Sequence, residues 1–360
     1  MKPDEILIIG LGLIGGSLGL ALQGSALVKR ISGYDVQQEA VARAISMGAI
    51  DESPALSSAV YRADIIFLCT SLAAYPEIID GIRPYIKAGT IITDVGSTKK
   101  KVMALFAELP EDIYGIGGHP MAGAEIAGIK GADRYLFENA VYVLTSFAHT
   151  PPAQVDKLSR LVAETGAKVQ IMDADLHDKV VAQVSHLPHL AAVALLNITG
   201  ADRQAMMMAA GGFRDTTRVA SGNSALWQDI ILSNQKYIVA ELDCFIAELE
   251  KIKTALEEGK RGLLGTKLEE ARSIRERIPH LQRTYVGGCA DIICMVPDQP
   301  GIIGYLGNIL GSEQVNIVDL EILRVREGDG GTIRISVPDY EAARRAVTAL
   351  QKEQIKAWIK

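Results

Sequence analysis

The apolar run Ile6-Leu7-Ile8-Ile9 leads straight into Gly10-Leu11-Gly12-Leu13-Ile14-Gly15 and then into a helix-compatible stretch over 17–22. A strand, a glycine loop and a helix in that order leave few folds open. Gly10 permits a tight turn, Gly12 removes a side chain where a pyrophosphate would sit, and Gly15 lets the helix approach the strand. The free N–H groups at the helix start, around Leu13 and Ile14, favour an anion. An ordinary glycine turn would look the same up to this point. Ile31-Ser32-Gly33-Tyr34-Asp35 adds a carboxylate at a second strand end, about twenty residues after the last glycine. Asp35 can accept hydrogen bonds from adenosine ribose hydroxyls, whereas a 2′-phosphate would meet like charge, so NAD is expected rather than NADP.

Short β-branched runs at 65–69, 90–95, 114–117, 140–144 and 168–171 alternate with helical spacings. This alternation predicts an α/β, Rossmann-type domain over 1–172, a parallel sheet with helices on both faces. Ligands of open α/β sheets bind beyond the carboxyl ends of the strands. Thr70-Ser71, Asp94-Val95-Gly96-Ser97 and Gly118-His119-Pro120 follow three of those strands and should converge on the nicotinamide end. From about 174 to 279, within a domain expected over 173–285, strand signals vanish, and apolar residues recur at helical spacing through 180–196, 225–256 and 263–278. An all-helical domain is expected there, of the kind that supplies a homodimer interface. Past Pro279 the pattern changes again: strand 289–296, helix 301–310, a hairpin of 315–325 with 332–337, helix 340–351 and strand 355–359. That order, βαββαβ over 289–360, predicts a ferredoxin-like module.

His119, in Gly117-Gly118-His119-Pro120-Met121-Ala122-Gly123, is the catalytic candidate. The glycines are expected to expose its ring, and Pro120 restrains it to an extended backbone. An imidazole titrating near neutrality can take a proton from a substrate hydroxyl as hydride leaves the same carbon. A turn-capping histidine fits the tripeptide as well. Ser97 could hold that imidazole in one tautomer, or cap a helix over 99–109; the two roles are compatible.

His177, His186 and His189 share one helical segment, interrupted by Pro188. Proline leaves the Val184 carbonyl without its usual donor, so a kink is expected over 185–189, and kinks can aim side chains into a cleft. Ordinary helix packing explains such histidines equally, and with no HExxH pattern or carboxylate set no metal is expected. In Phe213-Arg214-Asp215-Thr216-Thr217-Arg218 the two arginines stand four apart, on one face if helical. Two guanidinium groups suit a dicarboxylate; ion pairs with Asp215 or an acidic helix suit them too.

The 360 residues are 48% hydrophobic and 22% charged, which excludes a disordered chain and calls for more than one core. A net charge of -6 without a basic block gives no reason to expect nucleic acid or an anionic membrane as partner. Cys69, Cys244, Cys289 and Cys294 form no CxxC pair, so neither zinc ribbon nor disulfide framework is expected and a reducing compartment fits. The chain enters its first strand almost at once, and no apolar run approaches the roughly 20 residues of a membrane span. A cytoplasmic protein is expected.

GLGLIGGS, DVGSTK, GGHPMAG, SHLPH and FRDTTRVA, with Trp227 downstream, resemble in kind and order the prephenate dehydrogenases of tyrosine biosynthesis over 5–285. The C-terminal module is similar to the ACT domains that sense amino acids, with Val296-Pro297-Asp298-Gln299-Pro300-Gly301 opening its first helix and Val315-Asn316-Ile317 its second strand. The resemblance implies oxidative decarboxylation of prephenate to 4-hydroxyphenylpyruvate, carbon dioxide and NADH. It implies that His119 bonds the ring hydroxyl, that Ser97 orients it and that Arg218 clamps a substrate carboxylate. His189, His186, Arg214 and His177 would also meet the substrate, with Asp215 and Trp227 near it or reaching in from a partner subunit. An effector, expected to be tyrosine, would sit at Asp298, Gln299, Pro300, Gly301, Asn316 and Ile317. Ala124 stands where some relatives carry a hydroxyl residue, which bears on prephenate against arogenate. A β-hydroxyacid dehydrogenase would share the chain's start but needs a helical catalytic lysine, and Lys179 stands in no such motif. A non-catalytic NAD-bound sensor would have no use for Ser97, His119 and Arg218 together.

Overall fold

The structure, a computed structural model, describes residues 4–123, 126, 128–284, 290–326 and 330–359. Its contacts divide the chain into two compact units, Met1–Glu248 and Leu249–Lys360. In the first, strands β1 (Asp4–Ile9), β2 (Val28–Tyr34), β3 (Ile65–Leu68), β4 (Ile91–Asp94), β5 (Tyr114–Pro120), β6 (Val141–Thr145) and β7 (Lys168–Ile171) form one sheet. Their order is β2-β1-β3-β4-β5-β6-β7. The opening apolar run is unbroken because both faces of β1 are covered. Ile6 and Ile8 pack with Leu18, Leu22 and Phe67 on one side, Leu7 and Ile9 with Val60, Ile79 and Tyr75 on the other. The chain turns to one side of β1 to form β2 and crosses to the other to form β3. A crevice opens at such a reversal, beyond the carboxyl ends of the strands.

The sheet departs from the expected all-parallel form at one seam. β5 and β6 are antiparallel, while β6 and β7 are parallel. A parallel neighbour needs a crossover helix, and the described part of the β5–β6 connection holds only the 3-10 turn Ile129–Gly131.

Helices Ala174–Val181 and Leu187–Thr199 are joined by a π-helical turn, Ala182–His186. The Asp173 side chain caps the start by accepting from the amides of Asp175 and Leu176. Pro188 lies in the first turn of the second helix, so the expected interruption takes the form of a wider turn that absorbs the missing N–H. Contrary to expectation, the 26-residue stretch Ala174–Thr199 holds an 18-residue window of mean hydropathy 1.3, long and apolar enough by length and composition to cross a membrane. Its His177, Asp178, His186 and His189 are all buried. One helix expected over 225–256 is two, Ser224–Ser233 and Gln235–Glu257, because Asn234 leaves helical geometry and donates its side-chain amide to the Asp178 carbonyl.

In the second unit the helix Arg261–Thr284 runs on through Pro279, which is therefore not a helix end. Strands β8 (Ala290–Val296), β9 (Asp319–Arg326), β10 (Gly330–Val337) and β11 (Lys356–Ile359) follow, with helices Ile302–Ser312 and Tyr340–Lys352 between them. The sheet order is β11-β8-β10-β9, each neighbouring pair antiparallel. Ile292, Cys294, Val296, Ile333, Ile335 and Val337 alternate onto one face, which packs on Leu306, Leu310, Ala346 and Leu350. Val315-Asn316-Ile317 precede β9 rather than open it, and Val315 is buried in this core. Cys289 lies outside the described residues.

Candidate active site

The glycine loop is shaped by contacts that a side chain would destroy. Gly10 has φ +99°, and a Cβ there would lie 2.6 Å from the Cys69 carbonyl carbon at the end of β3. A Cβ on Gly15 would lie 2.0 Å from the Gly10 oxygen, whereas the Cβ direction of Gly12 meets nothing within 4 Å. Gly12 is the N-cap of the helix Leu13–Leu22 and offers no side-chain acceptor, so the amides of the first turn stay available to an anion. Asp35, at the end of β2, accepts from the amides of Leu11 and Gln37, each at 2.8 Å. A carboxylate so held keeps lone pairs for a ribose. Thr70 and Ser71 follow β3 on the same edge, the Thr70 hydroxyl donating to the Ser71 carbonyl at 3.4 Å. These features fit a dinucleotide.

Beside this loop lies a buried ion pair. Lys99 Nζ is 2.5 Å from Asp94 Oδ2 and also donates to the Gly118 carbonyl at 2.6 Å. Asp94 in turn accepts from the amides of Gly96 at 2.7 Å and Gly118 at 2.9 Å. Both side chains are fully buried, and burial pushes the Asp94 carboxyl up and the Lys99 ammonium down against their mutual attraction. The clamp explains Gly117 and Gly118. A Cβ on Gly118 would lie 2.4 Å from the backbone carbonyl oxygen of Asp94, and one on Gly117 would lie 3.0 Å from Lys99 Cδ. Their smallness admits the clamp; it does not expose the neighbouring histidine.

His119 is only 8% exposed. Burial, with His177, Lys99 and His186 acting in the same sense, holds its imidazole well below the usual histidine range rather than near neutrality. It is an uncharged base at neutral pH. Its Nδ1 lies 2.8 Å from His177 Nε2, and His177 Nδ1 lies 2.8 Å from Asp178 Oδ1. The ring's partner is therefore His177, where Ser97 was expected. His177, 1% exposed with both nitrogens engaged by protein, has no face left for a substrate, which corrects its expected role. Ser97 is half-buried in the loop after β4, and helix Lys100–Phe106 is capped by Lys99 without a side-chain hydrogen bond.

A second cluster forms farther along the helical segment. His189 stacks on Trp227 with ring centroids 3.5 Å apart, and His186 meets the same indole edge-on at 6.1 Å. His189 also hydrogen-bonds the backbone of Val219, next to Arg218, while its Nδ1 is buried with no partner among the described residues. Arg214 lies in the helix Gly211–Thr217 and Arg218 opens the 3-10 turn Arg218–Ser221; both are exposed, as is Asp215. Trp227 thus meets both histidines within this chain.

Burial brings the His186 imidazole from 6.5 down to about 4, although Asp178 acts in the opposite sense. The unfolded chain then binds a proton that the folded chain resists, so stability is full above pH 6.5 and is lost as pH falls towards 4. Scanning calorimetry should show Tm falling through that window, and His186→Gln should make the fall shallower.

Lys99, Asp178 and Asn234 were not recognised from the sequence as site residues, and Asp94 only as part of the loop expected at the nicotinamide end. An Asp-Lys pair in an otherwise small, uncharged loop, and a His-Asp dipeptide in an apolar helix, were the available signals. In the C-terminal module a cavity of about 230 Å³ is lined by Val296, Asp298, Gln299, Gly301, Ile302 and Ile333, among others. Pro300, Asn316 and Ile317 are not among its lining residues. Ala124 lies outside the described residues.

Residues 18–171 match the family described as prephenate dehydrogenase, nucleotide-binding domain, and residues 173–270 match prephenate dehydrogenase, dimerization domain. The chain is 35% identical to the prephenate dehydrogenase of Bacillus subtilis (strain 168) over 355 residues, 97% of this chain and 96% of that one. It is similar to the crystal structure of prephenate dehydrogenase from A. aeolicus in complex with hydroxyphenyl propionate and NAD+, with TM-score 0.72 and 29% identity over 77% of this chain and 99% of that one. Synechocystis arogenate dehydrogenase is also similar, with TM-score 0.67 and 31% identity over 76% of this chain and 99% of that one. With its glycine loop and Asp35 this is an NAD-dependent oxidoreductase, and the chain belongs to the prephenate dehydrogenase family.

Proposed function

We propose that this chain converts prephenate to 4-hydroxyphenylpyruvate and carbon dioxide, with His119 as the base toward the ring hydroxyl. The observation that carries the reading is the place of His119, at the carboxyl end of β5 on the sheet edge that carries the glycine loop, with Nδ1 engaged and Nε2 left for a substrate. Gly10, Gly12 and Gly15 with the amides of Leu13 and Ile14 would hold the pyrophosphate of NAD, Asp35 the ribose, and Thr70, Ser71 and Ser97 the nicotinamide end. NAD, when bound, accepts the hydride that leaves the ring carbon. Loss of carbon dioxide makes the ring aromatic, so the residues need only orient the substrate and stabilise the developing carbonyl. Arg218 grips a substrate carboxylate, His186, His189 and Trp227 form the wall, and Arg214 and Asp215 stand at its rim.

Initial rates of NADH formation with prephenate and with arogenate, each with NAD and with NADP, test the reading. Prephenate with NAD should give the highest kcat/KM; a higher value with arogenate would reassign the substrate. Arg218→Ala should raise KM for prephenate by about 10- to 100-fold with a smaller change in kcat, because a carboxylate contact exists before and during reaction. Unchanged KM would remove the clamp.

Exposed Leu195, Ile198, Leu226 and Leu232 on the helical region support a homodimer built there. The strand order of the C-terminal module, with two helices on one face, supports a ferredoxin-like ACT domain, and the cavity beside Asp298, Gln299 and Gly301 supports an amino-acid effector, with tyrosine expected. Titration calorimetry should detect tyrosine binding to the full chain, and Asp298→Ala should weaken both binding and inhibition. Inhibition that survives this change undiminished would exclude the cavity.

A further inference from the structure

We propose that His177 and Asp178 are a positioning pair that fixes which nitrogen of His119 carries its proton, leaving Nε2 bare toward the substrate. The inference rests on His119 being the base. Its origin is in the backbone: Asp178 Oδ1 accepts from the Lys99 amide at 2.7 Å and Oδ2 from the Lys100 amide at 2.9 Å. With both oxygens turned to amide protons, the carboxylate is an acceptor, and the proton shared with the next ring belongs to the histidine. His177 Nδ1 therefore donates to Asp178 Oδ1 at 2.8 Å.

A neutral imidazole has one N–H, so His177 Nε2 is a lone pair. It faces His119 Nδ1 at 2.8 Å, and that nitrogen must donate. By the same count His119 Nε2 is the acceptor. The two rings meet edge-on at 76°, so their contact is made through the nitrogens and not by stacking. His119, His177 and Asp178 are 8%, 1% and 1% exposed, so solvent offers little alternative partner, and the reversed tautomer of His119 would set its bare Nδ1 against the lone pair of His177 Nε2.

The chain of bonds also matters once the proton moves. As carbonyl character develops on the ring carbon, the hydroxyl proton passes to Nε2, and the positive charge on His119 lies in line with the Asp178 carboxylate. The proton returns to the oxygen as the phenol forms, so none is gained or lost. Lys99, His186 and His177 surround the same ring with cationic or neutral groups, and Asp94 is one residue away through Gly118. Asp178 is the carboxylate connected to His119 through its ring.

Nitrogen-15 NMR of the histidine-labelled full chain reads tautomers directly, and with six histidines in the sequence the His119→Asn spectrum assigns the signal. His119 and His177 should both be in the Nδ1–H form near pH 8. An Nε2–H form of His119 would overturn the proposal whatever its turnover, whereas full turnover of His119→Asn would instead remove the base. His177→Ala should lower kcat about 10²-fold while KM for prephenate stays within about 3-fold. Free imidazole should restore at least about a tenth of the lost rate, and N-methylimidazole, which has no N–H for Asp178, should not. Equal rescue by both, or none by either, would reduce His177 to a packing role; if the variant does not fold, the wild-type tautomer decides alone.

Discussion

Replacing His119 by asparagine is expected to lower kcat by about 10²- to 10⁴-fold, with KM for prephenate and NAD within a few-fold of wild type. Asparagine keeps a polar group in the pocket but cannot take a proton as the carbonyl forms, so the loss falls on the transition state. The wild-type pH profile should agree. Burial, with His177, Lys99 and His186 acting in the same sense, holds the His119 imidazole well below 6.5, so the base form persists through neutrality and kcat falls only on the acid side of that value. Steady-state rates over pH for both proteins check this, and unchanged turnover in the variant would exclude His119 from the mechanism.

Asp94→Ala is expected to destabilise the fold by about 3–5 kcal/mol, because it strands the buried Lys99 ammonium. It also removes the acceptor for two amides, those of Gly96 and Gly118. Lys99→Met should cost less, since the Asp94 carboxyl keeps both amide donors and is already pushed towards its neutral form by burial. Urea unfolding, read as a shift in midpoint at constant m, gives the comparison. Activity should fall with Asp94→Ala even well below the midpoint, since the Asp94–Lys99 clamp holds the N–H and C=O of Gly118, the residue before the base. A cost below about 1 kcal/mol would show that the pair is not a clamp.

The nucleotide half of the site was legible because its residues are close in sequence and its glycines have one physical reading: Gly10, Gly12 and Gly15 are where a turn, an open backbone and a close approach are needed. Strand positions were legible as well, since the β-branched runs are short and bounded. The direction of β6 was not, because it depends on what the connection lacks. The neighbours of His119 were hidden for a different reason. His119 and His177 are 58 residues apart, and no periodicity joins the end of a strand to the first turns of a helix. Periodicity gave the helix its apolar stripe, but the polar residues that interrupt it could equally have been solvated. The reading of Gly117 and Gly118 erred in the same way: small residues beside a histidine make room for something, and sequence does not say that this is the Lys99 stem at one and the Asp94 backbone at the other.

The π-helical turn Ala182–His186 divides one continuous rod into two independently indexed halves. Because each helical residue advances the azimuth by about 100°, excising one residue from that turn would swing everything downstream by that angle and leave everything upstream in place. His189 would rotate off Trp227, while His177 and Asp178 kept their grip on His119. A change in the His189–Trp227 cluster without disturbance of the His119–His177–Asp178 chain thus lies within reach of a single-residue insertion or deletion.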